Sequence, residues 1–447
     1  MKKFRFNVFL AAMLLFAAVA PMLTSCSKDS ANAEDILATV PADTPVVAVV
    51  NVEKMLDAFG CKANGSEITV SDKIDQAFKG NLSAKDYQDF QKVLNGDSGI
   101  EFSVLVYFVS NGYPYVTGNL SDPDKFKAFC QEQKIVSEGF SSDNGVDISG
   151  KVAMKGTRFW IGMGAAVDGR TIKSFLDLSD KNSFLSNPYA DNLVEVDKTV
   201  EGWADLSGVM NLANVDFQSK AMAQVALQTI FKDVEDLGFD LSIDKNEANV
   251  KVMPLNSKGK PAKCILPLDK IDEKVVKNLG GDCNVLIAAA ISQKGVKKIQ
   301  EAVSGNGPSY IGEIVKVLVC LDGTMAFAGD SNGRGIKGVV STTGTDTSAL
   351  VSMLNMGKLT VGKEGNLLMC KTAEPVSGPM QVAEGAKYLD GCTIGVVANG
   401  VGSFSPEEGI VAFTLRPENE TLTINLQLHS EKALADMLVD SAKKARF

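Results

Sequence analysis

The sequence is short of the residues that most enzyme chemistry is built from. It holds a single histidine, His429, in 447 residues, so a site that needs two imidazoles cannot form, and most zinc hydrolase chemistry is excluded with it. Eight cysteines are too few for a disulfide-built scaffold of this length. Beyond Cys26 they are Cys61, Cys130, Cys264, Cys283, Cys320, Cys370 and Cys392, with no C-x-x-C pair to hold a metal or run redox chemistry. Aromatic residues make up only 7%, which leaves little material for a glycan-stacking platform, and Tyr113-Pro114-Tyr115 is the one local cluster. Neither a G-x-x-x-x-G-K-S/T phosphate loop nor a G-x-S-x-G nucleophile elbow occurs.

Positive charge is also in deficit. The chain carries 45 Lys and Arg against 54 Asp and Glu, a net charge of −9. The first 25 residues contain Lys2, Lys3 and Arg5 and no acid, so from Cys26 onward the balance is 42 against 54, or −12. That sign argues against nucleic acid and against an anionic membrane surface as partners. What the chain does have is apolar material, 45% of residues, enough at this length for more than one core and too much for a disordered chain.

The basic start is followed by an apolar stretch from Val8 to Ala20, the length of a signal h-region rather than of a spanning helix. It leads to Leu23-Thr24-Ser25-Cys26, which resembles the bacterial lipobox. That resemblance implies cleavage after Ser25 and a diacylglyceryl group on Cys26. No later segment reaches roughly 18 uncharged apolar residues, so the acyl chains are the expected membrane contact. The expected layout is a signal peptide over 1–25, a lipidated tether over 26–39, and a folded, extracytoplasmic chain from Val40.

Blocks recur along that chain. Asp43 to Asn51, an apolar run entered by a turn, is followed by the helical pattern Val52 to Phe59; Asp282 to Ile291 and Val296 to Val303 repeat the plan. A hairpin over Ile100 to Leu120, turning at Ser110-Asn111-Gly112 and closed by Ser121-Asp122-Pro123 as a helix start, matches Met325 to Thr343 with Asp346. Two strand, Asn-Glu turn, strand units centre on Asn246-Glu247 and Asn419-Glu420. The same order twice predicts an internal duplication, with related domains over 40–261 and 262–447. Helical spacing over Ser71 to Lys79, Ala84 to Leu94, Gln218 to Leu237 and Glu431 to Lys443, set between hairpins, makes the fold class α+β, with mostly antiparallel sheets and packed helices.

The lipobox, Val40-Pro41-Ala42-Asp43 leading into Val46 to Val49, and Trp203-Ala204-Asp205-Leu206 together resemble an uncharacterised lipoprotein family of Bacteroides-like bacteria, a domain of unknown function. The resemblance implies an extracytoplasmic lipoprotein and brings no catalytic residue.

Chemical motifs resolve into turns. Gly333-Arg334-Gly335-Ile336-Lys337-Gly338 fits G-x-G-x-x-G but precedes a strand pattern, whereas a dinucleotide loop must open a helix. Asn95-Gly96-Asp97-Ser98-Gly99 lacks the regular ligand positions and the final Glu of a calcium loop. Asp233, Glu235 and Asp236 read as a solvated helix end, and His429 as a surface residue. Cys26 is thus the only assigned site: no catalytic, cofactor or metal residue is designated. The expected function is a lipid-anchored envelope protein, at the outer membrane, with a non-catalytic binding or structural role toward an envelope protein or glycan. The alternative is a glycan- or peptide-directed hydrolase using acidic residues in an interdomain cleft.

Overall fold

In the computed structural model the described residues run from Ala31 to Met437, leaving out 137, 164–166, 168, 177, 213–215, 217, 221–226, 228–229, 266–268, 304–316 and 401–408. Cys26, the signal segment and the end of the helix expected over Glu431 to Lys443 lie outside them. The chain is a mixed α+β protein in which neighbouring strands within each unit's sheet run antiparallel. It divides into two compact units, one of Met1–Met222, Glu235–Lys260 and Ala433–Phe447, the other of Ala223–Val234 and Pro261–Lys432.

The units interleave where a single cut near residue 261 was expected. Phe231 pairs with Cys264 and packs on Ala262 and Leu422, which draws its segment into the second unit. Leu434 donates its backbone N–H to the Lys245 carbonyl, which draws the C-terminal segment into the first. The helix predicted over Gln218 to Leu237 is interrupted for the same reason: Phe231–Lys232 is a strand, Asp233 turns the chain at φ 57°, and a long strand begins at Asp236.

The first unit is built on strands β1 (Ala31–Asn32), β2 (Val46–Asn51), β3 (Ile100–Ser110), β4 (Tyr113–Leu120), β5 (Ser141–Asp143), β6 (Val146–Ser149), β7 (Val152–Lys155), β8 (Arg158–Gly162), β9 (Glu195–Val196), β10 (Val200–Asp205), β11 (Asp236–Asp244) and β12 (Glu247–Leu255). Its sheet runs β5-β6-β7-β8-β4-β3-β2-β10-β11-β12. The central β2 alternates half-buried and buried residues, and its inward Val47 and Val49 join Val106, Phe108, Tyr115, Trp160 and Trp203 in the core. Helix α1 (Glu34–Leu37) packs here too, and α2 (Val52–Ala58) starts on an Asn51 cap that accepts from the Lys54 N–H. Beyond the β3–β4 hairpin, α3 (Pro123–Glu132) is started by Asp122, whose carboxylate accepts from the N–H groups of Asp124 and Lys125, with Pro123 in the first turn.

Packing begins before Val40, where the tether was expected to end. Ala31 and Asn32 pair with Val196 and Glu195, and Ala33, Ile36 and Leu37 are fully buried. The small polar residues 27–32 hide this, because a two-residue strand and a one-turn helix offer no periodicity to read.

The second unit carries β13 (Val285–Ile291), β14 (Leu321–Gly329), β15 (Ile336–Thr342), β16 (Thr360–Glu364), β17 (Leu367–Lys371), β18 (Ile394–Asn399), β19 (Ile410–Glu418) and β20 (Thr421–His429). They form a sheet in the order β16-β17-β15-β14-β13-β18-β19-β20. One face is covered by α4 (Glu273–Lys277) and α6 (Val382–Leu389), which bury Leu286, Ala288, Ala326 and Val397. On the other face α5 (Ser348–Met356) covers β14, β15 and β17 through Leu350 and Leu354.

Candidate functional site

Beyond the edge of the α5 cluster, β13, β18, β19 and β20 leave apolar side chains of that second face exposed. Register places Phe327, Ile287, Val396, Phe413 and Leu426 in one row across five strands. Ile287 is 46% exposed, Phe413 44% and Leu426 41%. The neighbours two residues away on each strand share the face and are apolar as well: Val285 and Ala289, Ile394 and Ala398, Val411 and Leu415, Ile424 and Leu428. At one end Leu422 is capped by Phe231 and Ala262.

The polarity of β19 and β20 is the reverse of that of an antiparallel sheet with one wet face. Their helix-covered face carries Thr414, Arg416, Asn425, Gln427 and His429, while the open face carries no charge and no hydrogen-bonding side chain. Arg416 is held on the covered side by donating to the carbonyls of Asp390 and Tyr388, 3.0 and 3.2 Å away. His429 lies half buried opposite Ile410 on that covered face. An exposed cluster of this size on a sheet marks a contact surface more often than a random scatter of apolar side chains does.

A second feature is a carboxyl cluster in the first unit. Glu201 on β10 stands opposite Asp240 on β11, and its carboxyl is hydrogen-bonded to that of Asp197 in the turn that follows β9. Burial pushes Glu201 up to about 8, with the bond to Asp197 and the charges of Asp197 and Asp240 adding and Lys198 opposing. The same bond, helped by Lys198 and Lys54, holds Asp197 below the usual carboxylate range. The pair therefore holds one proton at neutral pH, and it sits on Glu201. Lys54, itself buried, donates its Nζ to the Asp197 carbonyl, and Asn51 donates to the Val196 carbonyl at 3.3 Å. Tyr189 lies over Gly238, where a Cβ would meet its hydroxyl at 2.7 Å, and burial raises its phenol to about 12. A carboxylic acid kept protonated at pH 7 can donate a hydrogen bond or a proton.

Other residues singled out in the sequence are placed as follows. Asp236 is not a solvated helix end: it begins β11 against Trp203, and burial raises it to about 6. Tyr113 is exposed, but Tyr115 lies in the core stacked on Phe108 with ring centroids 5.2 Å apart, so the two do not form a platform. The G-x-G-x-x-G stretch is the β14–β15 turn, in which the Asp330 carboxylate accepts from the N–H groups of Asn332, Arg334 and Gly335. Gly99, in the stretch compared with a calcium loop, turns at φ 66° where a Cβ would meet the Asp122 carbonyl at 2.2 Å. All seven described cysteines are free thiols, and among the described residues no three His, Cys, Asp or Glu side chains group to hold a metal. No helix among the described residues is long and apolar enough to cross a membrane.

Sequence reasoning misses Glu201 and the open sheet face. In Val200-Glu201-Gly202-Trp203 the strand period puts the acid on the same side as a core tryptophan, and that is the available signal. The face is hidden because Val285 to Ile291 is continuously apolar and reads as buried on both sides.

No protein-family model and no curated protein matches the chain. Among solved structures it is similar to those described as crystal forms I and III of TP0453, at 10% identity and TM-scores of 0.27 and 0.28, covering 78% of this chain and 95% and 96% of those. Crystal form IV of TP0453 is matched at 11% identity with a TM-score of 0.28, over 48% of this chain and 79% of that one.

Proposed function

We propose that the protein is a lipid-anchored, extracytoplasmic envelope component that binds a partner rather than turning over a substrate. The open apolar face of the second sheet is the observation that carries this reading. The anchor is Cys26, and its supports are the basic n-region, the h-region length and the Leu23 to Cys26 sequence. Placement at the outer membrane belongs to the same reading.

The two units are read as copies of one ancestral domain. Supporting this, β7-β8-β4-β3-β2-β10-β11-β12 and β16-β17-β15-β14-β13-β18-β19-β20 follow the same order along the chain and across the sheet. The row Tyr107, Ala48, Gly202, Phe239 and Val252 in the first unit takes the place of Phe327, Ile287, Val396, Phe413 and Leu426. In the first unit the Phe239 ring lies over Gly202, at 2.1 Å from where a Cβ would stand, so that copy fills its own face with an aromatic ring. The second unit has Val396 there and keeps its side chains standing.

The test is affinity capture from native membranes with the anchored protein and with an Ile287→Asp, Phe413→Asp double variant, followed by mass spectrometry of proteins and glycans. Binding through the face predicts a component recovered with the wild type and lost with the variant. Equal recovery by both removes the face from the reading.

A hydrolase is the second reading, and Glu201 with Asp197 and Asp240 is what favours it. Cleavage of envelope glycan or peptide that disappears in Glu201→Gln would establish it; no cleavage by the wild type would remove it.

A further inference from the structure

We propose that the core face of β4 and β8 binds an oxyanion, the carboxylate or phosphate group of a small ligand, at Thr117, Arg158 and Trp160. The site lies in the first unit and is independent of the open face of the second. In the β4–β8 pair Trp160 stands directly opposite Thr117, and Arg158 opposite Asn119, so the strand period puts these side chains on one face. Phe159, between Arg158 and Trp160, points the other way, onto Phe126 of α3. The Trp160 face is the one turned to the core that holds Val106, Ala153 and Ile172. Thr117 is 0% exposed and Trp160 1%. Yet among the described residues Thr117 Oγ1, Trp160 Nε1 and both Nε and Nη1 of Arg158 are buried with no hydrogen-bond partner. An unpaired buried donor forfeits its hydration, and native folds leave few such groups. Here three side chains in register share the deficit, which marks a missing partner common to them.

The chemistry of these atoms selects that partner. All are hydrogen donors, and only the hydroxyl also accepts. A water molecule would take up some of their hydrogens and bring its own, whereas a carboxylate or phosphate accepts on every oxygen and brings none. Arg158 supplies the charge. Burial disfavours its ionised form, Asp35 and Glu101 oppose that through charge, and neither gives Nε or Nη1 an oxygen to bond. Glu101 accepts instead from the Ser103 hydroxyl, 3.3 Å away. Arg158 is half-buried, which places the entrance at its side and the closed end at Thr117 and Trp160.

The test uses the full chain from residue 26 with Cys26→Ser, dialysed into chloride. Sodium acetate, sodium succinate and sodium phosphate are the probes, each set against sodium chloride at equal ionic strength and read by calorimetric titration and urea unfolding. The proposal predicts saturable uptake of a carboxylate or of phosphate, and the separate arms tell which. At about a hundredfold excess over the dissociation constant the unfolding constant falls about hundredfold. Thr117→Val removes the hydroxyl and little volume; it is expected to fold with unchanged or greater stability in chloride and to weaken uptake about tenfold. Arg158→Gln abolishes uptake, while Lys363→Gln, at an exposed cation on β16, leaves it unchanged. A ligand that survives dialysis is read by mass spectrometry of what denaturation releases, an organic acid or phosphate ester from the wild type and none from Arg158→Gln. Neither uptake nor release overturns the proposal. Uptake that Thr117→Val and Arg158→Gln leave unchanged overturns it, as does uptake that Lys363→Gln lowers equally, which reports general attraction of anions. A crystal structure grown in the probe with only waters on Thr117 and Trp160 overturns it as well.

Discussion

The carboxyl of Glu201 is hydrogen-bonded to the carboxyl of Asp197, four residues earlier, and the two are shifted in opposite directions. The pair stands where β9, the strand that holds Ala31 and Asn32, turns into β10. It ties the electrostatics of the first unit to the point at which Ala31 and Asn32 enter the fold.

Glu201 makes stability depend on pH with a definite sign. Its folded-state value, about 8, lies above its ordinary value of 4.5, so the folded state holds the proton more tightly. The stabilisation is complete below about pH 4.5 and is lost as pH rises through 8. Glu201→Gln keeps a donor toward Asp197 and cannot ionise; it is expected to stabilise the protein at pH 8 by about 2 kcal/mol once solvent screening of a partly exposed group is allowed for. Urea unfolding at pH 5 and pH 8 checks this: the variant's advantage grows with pH, and an advantage that does not grow contradicts the assignment.

Ile36 and Leu37 belong to the core although they lie within the stretch, residues 26–39, that was expected to be a tether. Leu37→Ala is expected to cost about 2–5 kcal/mol, the range for a fully buried aliphatic side chain. A loss below about 0.5 kcal/mol in denaturant titration would mean that this segment is not packed.

Gly202 cannot accept a side chain without moving the Phe239 ring or the Val47 carbonyl, which stand 2.1 and 2.7 Å from where its Cβ would lie. Gly202→Val is expected to destabilise by about 1–3 kcal/mol as an overpacked site. Phe239→Ala in the same chain should recover part of that loss, a coupling that a double-mutant cycle measures.

Cys26 is tested by phase partition. The wild type should enter the detergent phase of Triton X-114 and Cys26→Ser the aqueous phase, because acyl chains supply the expected membrane affinity. Detergent partition of the serine variant would point to another anchor.

Much of the fold was legible because local signals agreed with tertiary need. Val46 to Asn51 reads as a strand and is the centre of its sheet; Ser110-Asn111-Gly112 reads as a hairpin turn, and Asn111 and Gly112 take φ values of 53° and 76°. Ala84 to Leu94 forms the helix its spacing predicts. The parts that were not legible depend on residues far apart in sequence. Glu201 gains its burial, and the neighbouring charge of Asp240, only once β10 and β11 pair. Phe231 reads as part of an apolar helical stripe, yet its partner is Cys264, and that pairing ends the helix. The open face of the second sheet depends on which side α5 covers, and the apolar run of β13 reads the same whichever side is left open.

The most direct test of binding through the open face is photocrosslinking in intact cells from a benzophenone amino acid at position 287, with position 384 on the exposed surface of α6 as the control. Binding there predicts a defined, saturable adduct from position 287 that is absent from position 384. Adducts of equal yield and identity from both positions, or none from position 287, would contradict it.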